Sequence, residues 1–153
     1  MKIKEILSEV DHRVIAGNLE ATAGHIVWDS RKVTKNDIFV ALIGTHTDGH
    51  KYIPQVIEAG ASAVFIDKAQ KLYSDAALAD LVSGTECSVI KISDTRVGLA
   101  QLARVLYSHP ERDVALFGVT GTKGKTTTSF MLHKILQDSG KRSGLMGTVY
   151  NKM

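Results

Sequence analysis

Short apolar runs alternate with amphipathic segments along most of this 153-residue chain. The runs Ile26-Val-Trp-Asp29, Ile38-Phe-Val-Ala-Leu-Ile43, Ala63-Val-Phe-Ile66 and Val89-Ile-Lys-Ile92 have strand length and are rich in β-branched residues. Between and around them the pattern turns helical. Lys2 to Glu9 predicts a short helix, and Ile53 to Ala59 another, with Pro54 in its first turn and Gly60 as its stop. A third helix is expected over Ser74 to Val82. A fourth starts at the caps Ser93 and Asp94 and runs to Ser108, ended by Pro110, with Val97, Leu102, Val105 and Leu106 forming its apolar face. Strands alternating with helices predict an α/β domain with a mixed, partly parallel sheet. The periodicity breaks at His109 to Asp113, so a first domain over residues 1–112 and a second unit over 113–153 are expected.

The second unit has a simpler order. The apolar run Val114-Ala-Leu-Phe117 reads as a strand, Gly118 to Thr128 as a glycine-rich loop, and the residues after it as a helix. In that helix Met131 with Ile135, and Leu132 with Leu136, have the i, i+4 spacing of a core-facing stripe. Ser139-Gly140 stops the helix, and Ser143 to Val149 predicts the start of another strand. A complete nucleotide-binding sheet needs several such units, so a truncated domain is expected.

Strand, glycine loop and helix in that order build a phosphate cradle. Glycines let backbone N–H groups converge on an anion, and the helix N-terminus adds unpaired donors and about half a positive charge. The candidate nucleotide ligands are Gly121, Thr122, Lys123, Gly124, Lys125, Thr126 and Thr127. Lys125 is the residue expected to serve catalysis, as a charge for the outer phosphates, and Thr126 offers a hydroxyl to magnesium. The strict Walker spacing fails at one place, where Val119 stands for its first glycine. Lys123 is either solvated or an added charge beside the phosphates.

Composition narrows the alternatives only slightly. Apolar residues make up 44% and charged residues 23%, ordinary values for a globular protein, and a formal charge of +3 gives no case for nucleic acid. Cys87 is the single cysteine, so an intrachain disulfide is impossible; beside an apolar run it reads as a small buried hydrophobe. The N-terminus lacks the apolar core of a signal peptide, and no run reaches the roughly 18 apolar residues of a membrane span. A cytoplasmic chain with no membrane partner is expected.

Two polar clusters remain. Asp29-Ser30-Arg31 follows Trp28 at a strand end, and an ordinary turn would account for it. Gly44-Thr-His-Thr-Asp-Gly-His50 follows the next strand. His46, Asp48 and His50 alternate there, but the spacing matches no strong zinc signature. A loop for a polar ligand fits better, because α/β sheets present ligands at the C-terminal ends of their strands.

With those residues in view the sequence resembles the Mur ligases, the ATP-dependent enzymes that build the peptide stem of bacterial peptidoglycan. The resemblance rests on Asp29 to Val33, Asp37 to Ala41, Gly44 with Asp48-Gly-His50 and Tyr52-Ile53, Gly60-Ala61, Asp94-Thr-Arg96, Tyr107 with His109-Pro110, and Gly121 to Thr128. It is nearest to the branch that adds the third stem residue, of the lysine or diaminopimelate class, to UDP-MurNAc-L-Ala-D-Glu. The branch adding the terminal dipeptide is the alternative, and Thr122 disfavours it, since serine is usual there. A non-catalytic nucleotide-sugar binding module is a further alternative. The resemblance implies an N-terminal domain binding the UDP-sugar acceptor through Trp28, Ser30, Thr45, His46 and Thr47, followed by the truncated start of a P-loop ATP-binding domain. Trp28 could stack on uracil or belong to the core. The implied cofactors are ATP and Mg2+, and the implied partners are UDP-MurNAc-dipeptide and an amino acid, in a monomer. The implied chemistry is phosphoryl transfer to the acceptor carboxylate, then attack by the amine on the acyl phosphate. The family's remaining residues would lie beyond Met153, so this chain alone is expected to be inactive.

Overall fold

A computed structural model describes residues 1–45, 47–147 and 151–152. The chain divides into two compact units, Met1–Asp113 and Val114–Met153.

In the first unit a five-stranded sheet runs in the order β1-β5-β4-β3-β2. Its strands are β1 (His12–Ala16), β2 (Ile26–Val27), β3 (Ile38–Val40), β4 (Ala63–Asp67) and β5 (Ser88–Ile92). Strands β2 to β5 are mutually parallel, and β1 pairs antiparallel with β5, with an irregularity between Val14 and Ala16. The parallel strands are nearly continuous apolar runs because both faces of the sheet are covered. Ile38, Val40, Ala63, Phe65, Ile90 and Ile92 point to one face, where Ile3, Ile6 and Leu102 meet them. Phe39, Val64, Ile66 and Val89 point to the other, against Ile53, Val56, Leu78 and Val82. Burying each such Ile, Leu or Phe contributes about 1.5–3 kcal/mol, so two packed layers suffice for a core.

The helices supplying these layers are α1 (Ile3–Ile6), α2 (Ile53–Glu58), α3 (Asp75–Val82) and α4 (Thr95–Leu106). Their ends follow the expected chemistry. Ser74 caps α3, accepting from the Ala77 N–H, and Asp94 caps α4, accepting from Arg96 and Val97. Pro54 stands in the first turn of α2, and Gly60 follows it with a φ of +90°. Two details depart from the sequence pattern. Strand β1 has no counterpart in it, because an edge strand with an exposed outer half shows no alternation. Val97 is 55% exposed; α4 instead buries Thr95, Gly98, Leu102 and Val105, spaced by three and four residues.

Asp37, at the start of β3, is buried and accepts from the Thr34 N–H and hydroxyl, both at 2.8 Å, and from the His25 N–H at 3.0 Å. Burial pushes its carboxyl up, and these donors outweigh that, leaving it below the usual carboxylate range. The turn they form sets the chain on course from β2 into β3. Cys87 is a buried thiol that burial pushes up to about 12, a packing residue and no nucleophile at neutral pH.

The second unit contains α5 (Lys125–Asp138) and a two-stranded antiparallel pair, β6 (Leu145–Met146) and β7 (Asn151–Lys152). Val114 to Phe117 does not form the expected strand; Leu116 is 80% and Phe117 67% exposed. A strand needs a ladder partner, and among the described residues none pairs with this run. The expected stripe on α5 is only half realised. Leu132 and Leu136 are half-buried, whereas Met131 and Ile135 face solvent and His133 is buried, its Nδ1 2.9 Å from the Ser143 hydroxyl. Among the described residues the helix packs against the short β6. Of the strand expected over Ser143 to Val149, Leu145 and Met146 are in β6, and residues 148 and 149 lie outside the described residues. No helix of the described residues is long and apolar enough to cross a membrane.

Candidate functional site

Because β2 to β5 are parallel, the segments leaving them emerge on one edge of the sheet, with neighbouring strands about 4.8 Å apart. Trp28, Asp29 and Ser30 leave β2, the Gly44 loop follows β3, Asp67 ends β4, and Ser93 to Arg96 follow β5. A cleft of about 380 Å³ opens elsewhere, beside Asn36, Ser62 and Cys87 just before β3, β4 and β5; none of the expected site residues lines it.

Trp28 is 61% exposed, so it presents its ring to solvent and is not a core residue. Asp29 caps a short 3-10 turn over Ser30–Lys32, accepting from the Arg31 N–H at 3.2 Å. Its carboxylate also takes a bidentate pair from the Arg31 guanidinium, at 2.9 and 2.8 Å. These side-chain bonds, then the backbone bond, hold the Asp29 carboxyl down at about 2. Asp29 and Arg31 therefore satisfy each other as an ordinary turn would. The turn leaves the Trp28 ring and the Ser30 hydroxyl without a hydrogen-bonded partner among the described residues.

The loop after β3 is a closed turn. Ile43 and Asp48 bridge its base, the Gly44 N–H donates to the Thr47 carbonyl at 2.9 Å, and the Gly49 N–H donates to the Leu42 carbonyl at 2.9 Å. Both glycines are required by close backbone approach. A Cβ on Gly44 would lie 2.8 Å from the Thr47 oxygen, and one on Gly49 2.9 Å from that of Leu42. Thr45 and Thr47 are exposed at the tip, their hydroxyls unpaired among the described residues. His46 lies outside the described residues. Below the tip, Asp48 accepts from the backbone N–H of buried His50 at 3.0 Å and contacts its Nδ1 at 2.6 Å. Burial pushes the Asp48 carboxyl up, but these donors and the nearby Lys51 charge keep it below its ordinary value. His50 has no lone pair free for a metal, since Nε2 accepts from the Asp67 N–H at 2.9 Å. The described residues contain no group of three or more His, Cys, Asp or Glu able to hold an ion.

Sequence reasoning misses how this edge is tied together. Arg96 donates from Nη2 to the Ile43 carbonyl at 2.9 Å, and Asp67 accepts the Thr95 N–H at 3.2 Å. Asp94-Thr-Arg96 is visible as a motif. Its contact with a residue 53 positions away is not.

In the second unit, Gly121 and Gly124 take φ values of +146° and +81°, and α5 begins at Lys125. The first bond of the helix runs from the Thr128 N–H to the Gly124 carbonyl at 2.9 Å. The N–H groups of Lys125, Thr126 and Thr127 are therefore the open donors of a helix start. Lys125 reaches back to the Gly121 carbonyl at 2.6 Å. Residues 121–128, Thr122 and Lys123 among them, are exposed, and Lys123 has no ion-pair partner among the described residues.

Residues 23–107 match the family model described as "Mur ligase family, catalytic domain". The chain belongs to the Mur ligase family. It is 40% identical, over 99% of its length, to the UDP-N-acetylmuramoyl-L-alanyl-D-glutamate–2,6-diaminopimelate ligase of Clostridium tetani (strain Massachusetts / E88). It is 41% identical over 97% of its length to the UDP-N-acetylmuramyl-tripeptide synthetase of Roseiflexus sp. (strain RS-1). It spans 30% and 27% of those two relatives. Among solved structures, the UDP-N-acetylmuramoylalanyl-D-glutamyl-2,6-diaminopimelate–D-alanyl-D-alanyl ligase of Acinetobacter baumannii shares the fold at a TM-score of 0.64 and 24% identity, over 90% of this chain and 28% of that one. The MurF ligase of Thermotoga maritima, solved in complex with ADP, matches at a TM-score of 0.51 and 25% identity, over 81% of this chain and 24% of that one. The mixed α/β sheet of the first unit is thus a Mur ligase architecture.

Proposed function

We propose that this chain is the acceptor-binding and phosphate-binding portion of a ligase that joins an amino acid to UDP-MurNAc-L-Ala-D-Glu at the expense of ATP. The first unit would hold the UDP-sugar end, with Trp28 stacking on uracil and Ser30, Thr45, His46 and Thr47 offering polar contacts. The observation that carries this reading is the convergence of two loops, after β2 and β3, on one sheet edge, with an exposed indole and hydroxyls unpaired among the described residues. Such an edge is where α/β sheets bind ligands. The name of the similar Clostridium tetani ligase points to the same acceptor.

In the second unit the open N–H groups at the start of α5 suit ATP phosphates. Lys125 would exchange the Gly121 carbonyl for a phosphate oxygen and stabilise charge as the phosphoryl group moves to the acceptor carboxylate. The protein supplies position and charge there, and no nucleophile. Magnesium, which neutralises phosphate charge when bound, would find one ligand in Thr126. A divalent ion of this size takes about six oxygens, so phosphate and water would complete the set. Ligation needs an amino-acid site as well, so we infer that these 153 residues alone do not turn over. A cytoplasmic, monomeric parent enzyme fits these substrates.

Titrating the chain with UDP-MurNAc-L-Ala-D-Glu, while following the fluorescence of Trp28, the single tryptophan, tests the reading. Saturable quenching that calorimetry reproduces is expected, with a weaker calorimetric affinity in Trp28→Ala. No binding at millimolar ligand would end it.

A further inference from the structure

We propose that His50 is a positioning residue for the acceptor: acting through Asp48, it holds the turn carrying Thr45 and Thr47 in its binding shape. The inference rests on the acceptor-binding reading above and adds to it a residue that need not touch the ligand.

His50 is fully buried, yet both ring nitrogens are committed. A backbone N–H can only donate, so the Asp67 amide fixes Nε2 as an acceptor and leaves the proton on Nδ1. Nδ1–H then donates to Asp48 Oδ1 at 2.6 Å, the oxygen that also accepts the His50 backbone N–H. Asp48 forms one side of the turn base, bridged to Ile43. On the other side, Arg96 holds the Ile43 carbonyl. The base is thus gripped twice, by the end of β4 through His50 and by the first turn of α4 through Arg96, whereas the tip is exposed and its hydroxyls are unpaired among the described residues. A fixed base under a free tip is a preorganised ligand loop: the ordering cost is met in folding, not in binding.

Two substitutions divide the roles of the ring. His50→Asn keeps a donor near the position of Nδ1 and loses the acceptor for Asp67. His50→Gln keeps an acceptor near Nε2 and loses the donor to Asp48. Each removes one buried hydrogen bond, so thermal stability should fall by similar amounts. Affinity of the 153-residue chain for UDP-MurNAc-L-Ala-D-Glu should separate them, falling roughly tenfold or more in the Gln variant and less than about threefold in the Asn variant. Without ligand, hydrogen exchange at the Gly44 amide should speed up only in the Gln variant. Equal losses of affinity in step with stability, or a Gly44 amide still protected in the Gln variant, would make His50 a core residue only and overturn the proposal. A wild-type chain that binds no ligand would instead defeat the acceptor reading, and the positioning role with it, whatever the variants show.

Discussion

The ammonium of Lys125 donates to the carbonyl oxygen of Gly121 at 2.6 Å, closing the glycine loop on itself. A phosphate entering this loop must displace that bond before the lysine can serve it. Among the described residues no strand pairs with the run before the loop to stiffen it. Binding therefore carries an ordering cost for the loop. Magnesium–ATP affinity weaker than micromolar is expected by calorimetry, lower still in Lys125→Ala. A micromolar constant for the wild-type chain would show the loop to be sufficient without further support.

Asp29 and Arg31 form a bidentate pair on a three-residue turn, and the guanidinium holds the carboxyl at about 2. The folded value lies below the ordinary one of about 3.9, so the pair's contribution is complete above that pH and fades as pH falls toward 2. A carboxyl-detected NMR titration should place the Asp29 midpoint near 2. Arg31→Gln should return it toward the ordinary carboxylate range. A midpoint unchanged by that substitution would mean the pair does not persist in solution.

Elements that announce themselves locally are legible in the sequence alone. Pro54, Ser74 and Asp94 mark helix starts through their own side chains, and β3, β4 and β5 are apolar runs buried on both faces. What stays hidden depends on partners far along the chain. The exposed residues of β1 give no period, and it becomes a strand only by pairing with β5. Val97 is apolar enough to suggest the face of α4, but the true face includes Gly98, where an added Cβ would come within 2.2 Å of the Ile92 side chain. At the site, Trp28, Ser30 and the Gly44 loop are visible as polar clusters after strands. The grip of His50 and Arg96 on that loop is not, because His50 meets Asp67 and Arg96 meets Ile43 only in the folded chain.

Gly17 and Gly84 both have positive φ, +107° and +75°, but their surroundings differ. A Cβ on Gly17 would stand 2.2 Å from the Cys87 carbonyl oxygen and 2.4 Å from the Ser88 Cα, backbone that cannot yield without disturbing β5. One on Gly84 would meet nothing within 4 Å. Gly84→Ala should thus cost only backbone strain, about 1 kcal/mol. Gly17→Ala adds the steric clash and should cost about 3 kcal/mol or more. Urea denaturation of the two variants measures the difference, and equal costs would show that the strand start moves aside freely.

The first unit holds two packed layers around its own sheet, whereas Leu116 and Phe117 are exposed in a segment without secondary structure. Cleavage requires the chain to open locally, which is easy where no ladder or core contact must break. Brief chymotrypsin digestion is therefore expected to cut first at Leu116 or Phe117. The product, ending near residue 117, should retain cooperative thermal unfolding, because every strand and helix of the five-stranded sheet precedes the cut. Phe39 and Phe65, fully buried in that sheet, should be cut only after global unfolding. Early cleavage between Ile53 and Ile92, or a non-cooperative product, would mean that residues 1–113 do not form an independent folding unit.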